Sequence, residues 1–101
     1  MATEMLGIMV TKYENIEHIT GVVKAARAAG KAVTIFLTDE AVRFTTDPKF
    51  LELLRVGGVE ISVCDHNREQ LGILDMTEGI NYGSQYNNAG MLHDSARVLI
   101  F

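Results

Sequence analysis

The stretch MLGIMVTKYENIEHITGVVKAARAAGKAVTIFLT, Met5 to Thr38, decides the fold. Met5 to Val10 is a continuous apolar run, the pattern of a strand covered on both faces. Thr11 with Glu14 three residues on fits a capping box, so a helix is expected to open there, with Thr11 as N-cap. Ile16, Ile19, Val22, Val23 and Ala26 recur at helical spacing through Ala29, and Gly30 supplies a natural stop. Lys31 to Thr38 is then a second buried strand, rich in β-branched residues. An apolar strand, an amphipathic helix and another apolar strand in immediate succession call for parallel pairing, because the helix carries the chain back to the starting edge.

The same alternation continues downstream. Asp47-Pro48 is a strong helix start, an N-cap followed by proline at the first helical position. Phe50, Leu51, Leu53 and Leu54 give that helix its apolar side, and Gly57-Gly58 end it. Val59 to Val63 reads as a third strand. Asn67 with Gln70 is expected to cap a short helix closed near Gly72. Gly79 to Tyr82 reads as a small fourth strand, Ser84 to about Asp94 as a helix, and Arg97 to Phe101 as the last strand. There is no repeat, low-complexity tract or linker, so residues 1–101 are expected to form one domain. The fold class is α/β: a mostly parallel sheet with helices on both faces.

Composition narrows the function. The 101 residues are 48% apolar with a formal charge of −4, a mean hydropathy of +0.12 and a pI near 5.2. That supports a full core without disulfide staples or a structural metal, and the apolar surplus is the kind that covers a subunit interface. Lys and Arg are scattered, so no nucleic-acid or anionic-membrane surface is expected. No apolar run approaches the roughly 18 residues of a membrane helix. The start MATEMLGIMV has no basic n-region or cleavage site of a secretory leader. The expectation is a cytoplasmic protein whose single cysteine, Cys64, is held reduced.

In parallel α/β sheets ligands gather beyond the carboxyl ends of the strands. Three junctions fall there: Thr11-Lys12-Tyr13, Thr38-Asp39-Glu40 and Cys64-Asp65-His66. Thr11, Tyr13, Thr38 and Asp39 are therefore pocket candidates. Tyr82 and Tyr86 join them from a polar aromatic cluster that includes Gln85, Asn87 and Asn88. Cys64, at a strand end before a helix, is placed where backbone N–H groups favour the reactive thiolate. His66 and Arg68 are candidates to assist it, while Asp65 works the other way. The competing reading is a small apolar residue that packs the end of its strand, since cysteine is among the most buried residue types. Metal ligation is not expected, because adjacent Cys64-Asp65-His66 lacks ligand spacing and His18 and His93 stand elsewhere. No cofactor is expected either: TKYEN after the first strand brings no glycine-rich loop to a phosphate.

Several of these features together resemble the DsrE/DsrF-like family, which includes the TusD-type sulfur-relay subunits. Ala25 to Val42, AARAAGKAVTIFLTDEAV, is similar to that family's second strand and its Thr-Asp turn. Cys64, seven residues, Gly72 and Ile73 resemble its Cys-x7-Gly-aliphatic signature. Ser95 to Phe101, SARVLIF, is similar to its Ala-Asp-Arg-Val-Leu-x-Phe close. The resemblance runs nearly the whole chain in order. It implies a five-stranded sheet, assembly as trimers or hexamers, and a persulfide-bearing role for Cys64 between sulfur donor and acceptor proteins. Relay members have small or apolar residues directly after the cysteine, where this chain has Asp65-His66-Asn67.

Two functions follow from different classes. One is a sulfurtransferase-type carrier that accepts sulfane sulfur on Cys64 and passes it to a partner thiol. The other is an oligomeric module of the same fold that binds a small ligand or protein without covalent chemistry. A redox-sensing thiol is a third.

Overall fold

A computed structural model of the chain describes residues 4–83, 90, 93 and 95–101. Strand β1 (Met5–Val10) leads to helix α1 (Ile16–Ala28) and strand β2 (Ala32–Leu37). A 3₁₀ run over Asp39–Thr46, the single turn α2 (Pro48–Leu51) and a second 3₁₀ turn (Glu52–Arg55) carry the chain to β3 (Val59–Cys64). Helix α3 (Asp65–Gln70) follows at once, then β4 (Ile80–Gly83) and β5 (Arg97–Ile100). The five strands form one sheet in the order β4-β3-β2-β1-β5, and every neighbouring pair is parallel. The α/β, single-sheet reading of the sequence is thus the fold observed. The helix expected from Ser84 to Asp94 lies outside the described residues, apart from Gly90 and His93, which are helical and exposed. No helix among the described residues is long and apolar enough to cross a membrane.

The alternation of side chains sorts each strand between two faces. Ile8 and Val10, Val33, Ile35 and Leu37, and Ile61 and Val63 turn to one face. There they meet Ile19 and Val23 of α1 and the crossover residues Val42, Phe44, Phe50 and Leu53. Phe44 and Phe50 stack with ring centroids 5.0 Å apart, and Tyr13 meets Phe44 edge-on at 4.8 Å. The crossover from β2 to β3 is therefore held by its aromatic residues rather than by a long helix. On the opposite face Phe36 and Cys64 are buried together, with Met9 packed against them.

Helix α1 opens later than the capping box predicts. Its N-cap is Asn15, in the left-handed region at φ 66° and without a side-chain cap, a conformation asparagine tolerates better than most residues. Thr11 is spent elsewhere. Its N–H and its Oγ1 both donate to the Phe101 carbonyl, at 2.8 and 3.1 Å, which pins the end of β5 to the end of β1. The cap at Asp47 forms as expected, its Oδ1 accepting the Lys49 N–H at 3.0 Å behind Pro48.

The turn into β3 depends on glycine at one position. Gly58 has φ 83° and its carbonyl accepts the Val33 N–H at 2.9 Å, setting the β2–β3 register. A Cβ there would run into the Arg27 guanidinium, which itself donates to the Lys31 carbonyl at 2.6 Å. Gly58→Ala is expected to cost about 1–3 kcal/mol. Gly57→Ala next door has open space and is expected to stay within about 0.5 kcal/mol. Urea denaturation of both variants reads the contrast, and equal losses would contradict it.

Candidate functional site

Beyond the carboxyl ends of β1, β2 and β3 lies an open cleft of about 660 Å³. Its lining brings together Met9, Thr38, Asp39, Cys64, Asp65, His66, Asn67 and Gly83. Cys64 ends β3, is 4% exposed and packs against Phe36 and Met9. On its other side, β4 places Gly83 in register with Cys64, so no side chain flanks the sulfur from that strand. The thiol is free of any disulfide. A second hollow of about 300 Å³ adjoins the cleft and shares Asp39 and Asn67 with it.

The expected site residues fall into three groups. Thr38, Asp39, Cys64 and His66 meet on the cleft. Thr11, Tyr13, Tyr82 and Arg68 are not among its lining residues, and each has other work. Thr11 holds Phe101, and Tyr13 packs on Phe44. The Tyr82 hydroxyl accepts the Thr77 N–H at 2.6 Å. Arg68, its side chain 12% exposed, pairs through Nε with Asp65, donates from Nη1 to the Ile73 carbonyl at 2.8 Å, and lies over the Tyr82 ring. Tyr86 lies outside the described residues.

The residue the sequence reading misplaced is Asn67. It is not a helix cap, because α3 begins two residues earlier, directly after Cys64. Instead its Oδ1 accepts from Thr38 Oγ1 at 2.8 Å and from the Asp39 N–H at 3.0 Å, while Nδ2 donates to Gln70 at 2.8 Å. One side-chain amide thus ties the end of β2 to the helix after β3. Asp39 is held there in the left-handed region at φ 52°. Only a contact between distant segments could have revealed this role; nothing local in the sequence signals it.

Electrostatically, the Arg68 guanidinium beside Asp65 holds its carboxyl below the usual aspartate range, chiefly through their hydrogen bond. The partner effect raises Arg68 by the same bond. Asp65 therefore remains an anion at neutral pH, with its charge paired close by. Among the described residues no cluster of three or more His, Cys, Asp or Glu side chains is placed to hold a metal ion.

A five-stranded, all-parallel α/β domain with a cysteine ending its third strand, over an open cleft, is the class that fold and site define. The solved structure of the YchN protein of E. coli shares the fold of this chain. The two superpose with a TM-score of 0.73 at 16% sequence identity, over 99% of this chain and 100% of that one. YchN has the DsrE/DsrF-like fold, and at this identity the likeness establishes fold alone. No protein-family model matches the chain, and no curated protein matches it by sequence.

Two outcomes test this geometry. Asn67→Ala removes the shared acceptor and is expected to cost about 1–3 kcal/mol and to speed amide exchange at Asp39. Asn67→Asp keeps an acceptor and should lose less, and an equal loss would show that Oδ1 is not the anchor. Separately, a depressed Asp65 contributes stability that is present above its ordinary pKa and lost as pH falls through the folded-state value. The difference in melting temperature between wild type and Asp65→Asn should therefore be largest near neutrality and shrink in acid. A constant difference would contradict the pairing.

Proposed function

We propose that the protein is a sulfur carrier that takes up sulfane sulfur on Cys64 and yields it to a partner thiol. The observation that carries this reading is the position of Cys64 at the base of a cleft beyond the carboxyl ends of the strands. The DsrE/DsrF-like fold, in whose sulfur-relay members a matching cysteine carries the sulfur, supports it. The Cys64 thiolate attacks the outer sulfur of a donor persulfide. A new sulfur–sulfur bond forms while the donor's own breaks, and the donor thiolate leaves with the bonding pair. An acceptor thiolate then attacks the outer sulfur held on Cys64 and releases the Cys64 thiolate unchanged. The sulfane sulfur keeps its oxidation level throughout, so no oxidant is consumed.

His66 is the base on the cleft that takes the thiol proton before attack. Arg68 acts at one remove, by pairing the Asp65 charge and so easing the approach of a second anion. Thr38 and Asp39 line the path along which a donor or acceptor enters. The donor and acceptor are proteins, the setting is the cytoplasm, and the chain works as a homo-oligomer, a trimer or hexamer.

A second reading rests on a different observation. Cys64 is almost fully enclosed and packs with Phe36 and Met9, as a core residue does. On that reading the cleft binds a small ligand or a partner without covalent chemistry. Intact-mass spectrometry after incubation with glutathione persulfide separates the two. The carrier gains one sulfur atom, loses it to a reductant, and shows no gain as Cys64→Ser. No gain, with Cys64 closed to alkylation until the chain unfolds, selects the binding module.

A further inference from the structure

Among the described residues, two surfaces at opposite edges of the sheet are left uncovered, and their chemistries match. The first is the connection from α3 to β4. Arg68 Nη1 holds the Ile73 carbonyl at 2.8 Å. Thr77 is held by its N–H to the Tyr82 hydroxyl and by its Oγ1 to the Thr45 carbonyl at 3.3 Å. Between these anchors project Leu74, 88% exposed, and Met76, 57% exposed. Two large apolar side chains on a tip fastened at both ends lose little freedom on docking.

The second surface is a groove of about 320 Å³ between α1 and the amino ends of β1 and β5. Its walls include Leu6, Val22, Ala25, Ala26 and Ala29, and the small alanines leave room for a side chain from outside. Charge is complementary as well. Asp75 lies within the tip and Glu78 just past it, while Arg97 leaves the groove with a net positive charge. Lys31 and Glu4 there pair with each other at 3.8 Å and cancel. In the order β4-β3-β2-β1-β5 the tip precedes one edge strand and the groove borders the other, so tip and groove of one chain cannot meet.

We propose that copies of this chain assemble head to tail, with the Leu74–Met76 tip of one copy seated in the α1 groove of the next. Two unlike patches make a heterologous contact, which closes into a ring when the rotation per copy divides a full turn. This rests on the self-association proposed above and is independent of Cys64 chemistry.

Sedimentation velocity at micromolar concentration tests it with Leu74→Asp, which spoils the tip, and Ala25→Glu, which blocks the groove at an exposed helical position where glutamate is well tolerated. Wild type is expected well above 11.1 kDa, with each variant alone at the monomer mass. An equimolar mixture should recover a dimer containing one copy of each, since it still offers one intact tip and one intact groove. If wild type sediments as a monomer, self-association and this contact both fail. If wild type is oligomeric and either variant stays so, the contact alone fails. Monomeric variants that do not recover on mixing overturn the pairing of tip with groove. Thermal melting checks that each variant folds, and Leu74→Ser with Ala25→Gln repeats the comparison should a charged variant not fold. Sulfur loading of Cys64, read separately by mass, leaves this outcome untouched.

Discussion

Parallel pairing on both sides of β1 is the constraint on which the molecule depends. Leu6 to Met9 bond outward to Arg97 to Ile100 on one side, and Met5 to Val10 to Ala32 to Leu37 on the other. A parallel neighbour can be reached only by crossing back over the sheet, so every connection must return its chain to the same starting end. The carboxyl ends of all five strands consequently emerge together. That is why Met9, Thr38 and Asp39, the run Cys64 to Asn67, and Gly83, from separated parts of the sequence, share one cleft. The Phe101 carbonyl, held twice by Thr11, fixes the last strand to this arrangement.

Much of this was legible in the chain because parallel strands are buried on both faces and show themselves as unbroken apolar runs. Met5–Val10 was delimited to the residue, and Val59 to Val63 fell one short of the observed strand end. The reading failed where local rules met long-range competition. Thr11 and Glu14 have the spacing of a cap, but Thr11 is drawn to Phe101, 90 residues away. The 3₁₀ run Asp39–Thr46 left no clear helical period in the sequence. Phe44 and its neighbours fold there because they bury against α2 and the sheet.

The site shows the same division. Cys64, His66, Thr38 and Asp39 could be placed from topology, since each sits at or just past a strand end. Asn67 could not, because its role is to accept from two residues of another strand end. Arg68 illustrates a further limit of proximity along the chain. Four residues from the cysteine, it faces a carbonyl, a carboxylate and an aromatic ring instead. Its positive charge is thereby used to neutralise Asp65, which lines the cleft with the thiol, and to fasten the chain at Ile73.

Gly83, opposite Cys64 on β4, has a consequence for steric capacity. In a parallel pair, residues in register point to the same face, so any side chain at 83 would project alongside the sulfur. With hydrogen in that place, the third strand's last residue packs against Phe36 and Met9 of β2 and β1 and meets only backbone from β4. What β4 itself contributes beside the sulfur is thus backbone rather than a movable side chain. A larger residue at that one position would set a side chain beside the thiol without altering the thiol itself or the charges around it.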